Sequence, residues 1–249
     1  MRAIFISGAA TGIGRATAQK FLSAGWLVGA YDVNEIPYGH PHLITGHLDV
    51  TDPQQWDTAL AEFTSHTGGR LDVLDNNAGV IIDGALARQD PARILNTIEV
   101  NCAGPTYGAR AAHPYLKATP GSTLVNMCSA SAIYGQPDVL VYSATKFYVK
   151  GLTEGLGLEW KHDDIRVIDV MPLWAKTALA EVSAKSIRTL GVRITPRDVA
   201  EKIYTAVHPR NQWQRATIHY GVSLPDMAFR KLRALAPDRT VARVLRHLV

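Results

Sequence analysis

The chain has 249 residues, 47% hydrophobic and 19% charged, with a formal net charge of +4, which suits one large domain with a well-buried core. Cys102 and Cys128 are too few for a disulfide framework, and the histidines lack partners at metal-type spacing, so no metal site is expected. No apolar run reaches the ~18–20 residues that cross a bilayer, and a first strand at Ala3 leaves no room for a signal peptide, so a cytoplasmic location is expected.

Residues 3–7 form an apolar run without alternation, as in a strand buried on both faces of a parallel sheet. Gly8, Thr11, Gly12, Ile13 and Gly14 follow in a glycine turn spaced GxxxGxG, and a helix begins directly after it. Strand, glycine turn and helix together suit a dinucleotide pyrophosphate at a helix N-terminus. A second buried strand over 26–31 ends at Asp32. A carboxylate there hydrogen-bonds ribose hydroxyls and repels a 2′-phosphate, favouring NAD over NADP. Arg15 is a counter-signal, since a guanidinium can pair with that phosphate, but the helix is expected to carry it off the ribose face.

The stretch 33–41 is too broken by proline and glycine for a long helix. A third strand over 43–48 ends at Asp49 and Val50, and Thr51-Asp52-Pro53 opens a helix. A fourth strand over 71–75 leads into Asn76-Asn77-Ala78-Gly79. Asp90-Pro91 opens a long helical segment through Asn101 to Lys117. Pro105 inside it has no N–H for the Asn101 carbonyl, so a kink is expected there. A fifth strand over 122–127 precedes a loop holding Ser129, with Ser131 as a nearby alternative.

Tyr142 and Lys146 lie four residues apart at the start of the next helix, one turn above each other on the same face. A phenol titrates near ~10, and a neighbouring ammonium favours the phenolate, so the pair can exchange a proton near neutrality. Gly151, Gly155 and Gly157 on this helix allow close approach of another element, such as the sheet. A sixth strand over 165–171 ends at Pro172; a helical lid is expected over 174–190, a helix over 196–208 and a last strand over 216–219. Such alternation implies a doubly wound α/β fold with helices on both faces and ligands at the carboxyl ends of the strands.

The set Gly8, Gly12, Gly14, Asn76-Asn77-Ala78-Gly79, Asn101, Ser129 and Tyr142xxxLys146 resembles the short-chain dehydrogenase/reductase family, from about residue 3 to 177. The resemblance implies a mainly parallel Rossmann-type sheet of about seven strands, a nicotinamide cofactor and a catalytic tetrad of Asn101, Ser129, Tyr142 and Lys146. It also implies that the Asn101 carbonyl holds a water joining Lys146 to solvent, that Pro172, Ala175 and Thr177 meet the nicotinamide, and that the chain is a homo-oligomer, tetramer or dimer. Leu173 departs from the glycine usual after that proline, which bears on the pocket's shape. The expected single domain is 1–249, with 1–130 mainly for the cofactor and 131–249 carrying the catalytic helix, the lid and a basic C-terminal segment.

The expected activity is NAD(H)-dependent hydride transfer on an apolar secondary alcohol or ketone, with Val80, Ile81, Ile82, Ile133, Tyr134, Val139, Leu173, Trp174, Leu179 and Val182 lining the site. The alternatives are a 3-oxoacyl thioester reductase and a nicotinamide-binding protein without activity. The basic amphipathic segment 225–249 suits an anionic membrane surface, but packing on protein is the favoured reading. Positive charge confined to that tail, without an aromatic platform, argues against nucleic acid as a partner.

Overall fold

The computed structural model describes residues 1–223; the basic segment 225–249, with its packing and membrane readings, lies outside them. Seven parallel strands form one sheet: β1 (Ala3–Ser7), β2 (Leu27–Asp32), β3 (Leu43–His47), β4 (Val73–Asn76), β5 (Thr123–Met127), β6 (Arg166–Met171) and β7 (His219–Gly221). Their order is β3-β2-β1-β4-β5-β6-β7, so the chain winds outward from β1 in one direction and then from β4 in the other. That reversal opens a crevice at the carboxyl ends of β1 and β4, where ligands of such sheets sit.

The helices are α1 (Gly12–Ser23), α2 (Pro53–Ser65), α3 (Pro91–Ile98), α4 (Gly104–Lys117), α5 (Leu140–Glu159), α6 (Lys185–Leu190), α7 (Pro196–Val207) and α8 (Gln212–Ala216). Local chemistry sets several of their starts. Asp52 caps α2 by accepting Gln54 N–H and Gln55 N–H, with Pro53 in the first turn. Thr195 and Asp198 close a reciprocal capping box on α7.

Two apolar layers sandwich the sheet. On one face Trp56, Leu60 and Phe63 of α2 and Ala112 and Leu116 of α4 pack on Phe5, Leu74 and Leu124. On the other, Phe21 of α1 and Val199 and Ile203 of α7 pack on Ile4, Ile6, Val125 and Ile168. Each fully buried aliphatic or aromatic side chain contributes roughly 1.5–3 kcal/mol. Among the described residues, no helix is long and apolar enough to cross a membrane.

Three expected elements differ. The segment 174–190 is mostly irregular, with a 3₁₀ turn at Ala178–Ala180 and the short α6. Carboxylates hold it instead: Asp83 accepts Ser183 N–H at 3.0 Å, and Asp138 accepts Lys185 N–H at 3.1 Å. The last strand is His219–Gly221, because Asp169, Val170 and Met171 of β6 fix its register. Ala216 instead ends α8, whose N-terminus is capped by Asn211. Finally, α5 starts at Leu140, before Tyr142.

Candidate active site

Ser129 follows β5 in extended backbone, and α5 carries Tyr142 and Lys146 to the same wall; all three are buried. Ser129 Oγ accepts Ser131 N–H at 3.1 Å and donates to Ser131 Oγ at 3.2 Å, so both serines stand at this corner. Burial pushes the Tyr142 phenol up to about 12, against a hydrogen bond from Ser129 that pulls it down. The pair therefore does not lower the phenol as the sequence suggests. Lys146 Nζ donates to the Met127 carbonyl at 2.9 Å and stands 5.4 Å from the centre of the Tyr142 ring. Its own pKa is lowered, chiefly by burial. Desolvation outweighs the neighbouring charge here.

Asn101 lies in the middle of a π-helical stretch, Glu99–Ala103, between α3 and α4. Gly104 N–H reaches back to the Glu99 carbonyl, and Pro105 falls in the first turn of α4. The expected kink is thus a π-bulge, a wider turn of the kind often found at functional sites. The Asn101 side chain pairs with the backbone of Val80 and donates to Thr145 Oγ1 at 3.1 Å. It is occupied within the protein and does not line the cavity.

A cavity of ≈ 630 Å³ runs from this corner to the glycine turn. Gly8, Thr11, Gly12, Ile13, Asp32, Asp49 and Val50 line one end. Asn77, Ala78, Gly79, Ser129, Tyr142, Lys146, Pro172, Ala175 and Thr177 line the rest. Gly8 has φ +68°, and a Cβ on it would stand 2.7 Å from Ala78 Cα, so only glycine lets the two loops meet. Gly14 lies behind the cavity wall, against the Gly8 carbonyl. Thr11 precedes α1 without a side-chain cap, so the Thr11 side chain does not take up the helix's first N–H groups at the glycine turn.

The carboxylates and amides around the cradle are ordered by the backbone. Asp32 Oδ2 accepts Ala10 N–H at 3.0 Å, and Oδ1 accepts Asn34 N–H at 2.9 Å and Asn34 Nδ2 at 3.1 Å. Asn77 Nδ2 donates to the Ser7 and Gly8 carbonyls at 3.2 and 3.0 Å, bracing the turn. Asp49 Oδ1 accepts Thr51 N–H at 2.9 Å. Arg15 Cζ lies 5.3 Å from the centre of the Tyr38 ring, whose hydroxyl donates to the Ala9 carbonyl at 2.9 Å. Burial pushes that phenol up to about 12, with Arg15 lowering it and Asp32 raising it. Both charges therefore border the same strip. A glycine cradle at a helix N-terminus, with an ordered carboxylate at the next strand's end, fits a dinucleotide.

The expected apolar lining is only partly present. Val80, Leu173, Trp174 and Leu179 reach the cavity. Ile82, Ile133, Tyr134 and Val139 are buried in packing, while Ile81 and Val182 pack on a small cluster with Val139 and Tyr142. The side chains of these loops are taken up by the protein's own core. Leu173 is absent from the positive-φ residues, so the loop after β6 accommodates it without left-handed strain. Ala175 bridges Ile194, and its carbonyl accepts Thr177 N–H at 2.8 Å. Gln136 also lines the cavity, although its sequence signal was only a polar residue between Gly135 and Pro137.

A family model described as short chain dehydrogenase matches residues 2–187. Trans-4-hydroxycyclohexanecarboxylate dehydrogenase of Sinomonas cyclohexanicum is 33% identical over 70% of this chain and 72% of its own. The crystal structure of 3-ketoacyl-(acyl-carrier-protein) reductase from Brucella melitensis complexed with NADH shares 25% identity, covering 89% of this chain and 96% of that one, with a TM-score of 0.79. A short chain dehydrogenase from Burkholderia cenocepacia in complex with NADP has the same fold, with a TM-score of 0.84, 21% identity and coverage of 100% and 99%.

Proposed function

The chain belongs to the short-chain dehydrogenase family, and from that premise we propose that it is an NAD(H)-dependent oxidoreductase of a secondary alcohol or ketone. The observation that carries this reading is the shared cavity, with Ser129, Tyr142 and Lys146 at one end and the glycine cradle and Asp32 at the other. A bound nicotinamide would supply the hydride acceptor or donor and, when oxidised, a positive charge.

The chain's own groups handle the proton and the alignment. Tyr142, as phenolate, removes the hydroxyl proton in oxidation and returns it in reduction. Ser129 Oγ holds the substrate oxygen beside the phenol. Lys146 has three N–H donors and directs one to the Met127 carbonyl, leaving two for the cofactor ribose and the phenol side. Because burial holds the phenol up to about 12, the phenolate depends on Lys146 and the positive charge of an oxidised nicotinamide acting together. Asn101 secures the Val80 end of the loop after β4, and its backbone carbonyl is the proposed station of the proton-relay water. Pro172, Ala175 and Thr177 face the nicotinamide end, and Asp49 and Val50 the adenine end.

Asp32 supports NAD over NADP, because its fixed carboxylate repels a 2′-phosphate. A small, largely apolar alcohol or ketone suits Leu173, Trp174 and Leu179. The relative acting on a hydroxycyclohexane acid supports a secondary alcohol on a ring. The likeness to a 3-ketoacyl reductase favours a second reading, reduction of a 3-oxoacyl thioester. A homo-oligomer is part of the proposal; Phe147, Tyr148 and Leu158 give α5 an exposed apolar side.

The test is a screen of nicotinamide absorbance with NAD(H) and NADP(H) over aliphatic, aromatic, steroid and acyl-thioester substrates. Turnover of secondary alcohols or ketones with NAD(H) is expected. Thioester reduction with NADPH alone would select the second reading, and no turnover with either cofactor would overturn both.

A further inference from the structure

Gln136 sits between β5 and α5, buried yet lining the cavity. Its backbone N–H donates to Ser143 Oγ at 3.2 Å, which locks it to the first turn of α5 beside Tyr142. Its side chain is held from the lid. Trp174 Nε1–H donates to Ser186 Oγ at 3.1 Å, and the Ser186 hydroxyl donates to Gln136 Oε1 at 3.1 Å.

In this chain of bonds the amide oxygen is the end turned to Ser186. A serine hydroxyl has one proton, and here it goes to the glutamine end that accepts. The Gln136 oxygen therefore faces α6, and Nε2 is the free end. The two N–H donors on Nε2 meet no acceptor among the described residues. Nε2 opens to the cavity rather than being sealed in the core, so its donors are available to a ligand that supplies an acceptor.

We propose that Gln136 determines substrate specificity by donating from Nε2 to a carbonyl or carboxylate oxygen that the substrate carries away from its reacting carbon. The substrate is then a bifunctional hydroxy or keto compound rather than a plain hydrocarbon alcohol. Leu173, Trp174 and Leu179 contact the skeleton between its two polar ends. Trp174 and Ser186 act as positioning residues, since they hold the amide in the donating sense. The inference rests on the reading of this cavity as an alcohol or ketone site.

The test uses two cyclohexanones matched in shape, carrying across the ring either a methyl ester or a sec-butyl group. Each is titrated calorimetrically into full-length protein, alone and saturated with oxidised cofactor, where reduction cannot proceed. Wild type should bind the ester about fivefold to tenfold more tightly, the worth of one neutral hydrogen bond. Gln136→Glu, measured at a pH where its carboxyl is ionised, keeps an oxygen for Ser186 but has no donor; it should lose that preference while still binding the alkyl ketone. Gln136→Met should lose the preference as well. Equal affinities in wild type, no binding of either ketone, or a preference that survives in Gln136→Glu overturns the proposal. Preferential ester binding without turnover would overturn the oxidoreductase reading and leave the anchor standing.

Discussion

Asn101 and Val80 form a closed amide pair: Asn101 Oδ1 accepts Val80 N–H at 2.9 Å, and Asn101 Nδ2 donates to the Val80 carbonyl at 2.8 Å. The pair ties the π-helical stretch between α3 and α4 to the loop leaving β4, which forms one wall of the cavity. A side chain thus fixes a backbone segment that no strand or helix orders.

Asn101→Ala removes both bonds to Val80 and leaves its amide and carbonyl to find water. Each unpaired buried group costs about 1–3 kcal/mol, so a loss of roughly 2 kcal/mol or more is expected in urea unfolding. Asn101→Asp keeps the acceptor for Val80 N–H and should fall between alanine and wild type. Equal stability of all three would remove the structural importance of the pair.

Pro105→Ala restores an N–H in the turn that follows Asn101. The new donor should close onto the Asn101 carbonyl, regularise the π-bulge and lower turnover more than cofactor affinity. Steady-state kinetics beside calorimetric binding of NADH separates the two effects. Wild-type turnover in this variant would contradict a role for the Asn101 carbonyl.

Asp32→Ala should shift the ratio of NADP to NAD affinity upward by about tenfold or more, the equivalent of ~1.4 kcal/mol of relieved repulsion. Because Asp32 also accepts Ala10 N–H, some loss of NAD affinity should accompany the shift. Tighter binding of NADP(H) than NAD(H) by wild type would refute this reading of Asp32 and bring Arg15, close to the same strip, into its place.

Asp75 titration should be visible in stability. It shares the face of Val73, toward α1 and α7, and neither carboxyl oxygen finds a hydrogen-bond partner among the described residues. Burial pushes its carboxyl up to about 8. A folded-state pKa above the unfolded value near ~3.9 imposes no penalty below that value. The penalty grows as pH rises between the two and is complete above the folded one, reaching on the order of 5 kcal/mol at most. Asp75→Val should therefore raise stability more at about pH 8 than at about pH 5. A gain independent of pH in urea midpoints would show that Asp75 does not titrate in that window.

What could be read from the chain alone follows from the range of the interactions. The glycine turn, the end of β2 at Asp32 and the helical pair Tyr142 and Lys146 are local patterns, and the sheet brings them to one cavity. The π-bulge at Asn101 depends on which carbonyl Gly104 reaches, which residue identities do not encode. The boundaries of β7 depend on pairing with β6, which places the strand expected over 216–219 at His219–Gly221. Gln136 was illegible for a related reason: Ser186, the residue that fixes its amide, lies fifty positions away and enters only through the lid. Loop residues such as Ile82 and Val139 looked like pocket lining because apolar composition does not tell core from cavity.

The central claim is that Tyr142 carries the proton in nicotinamide-dependent hydride transfer. The most direct measurement compares reduced-nicotinamide absorbance for wild type and Tyr142→Phe on a secondary alcohol found by the screen, with calorimetric NADH affinity measured on both. The phenylalanine ring preserves packing and removes only the hydroxyl, so unchanged cofactor affinity and a loss of turnover of about a hundredfold or more are expected. Turnover within a few-fold of wild type in Tyr142→Phe would contradict the account.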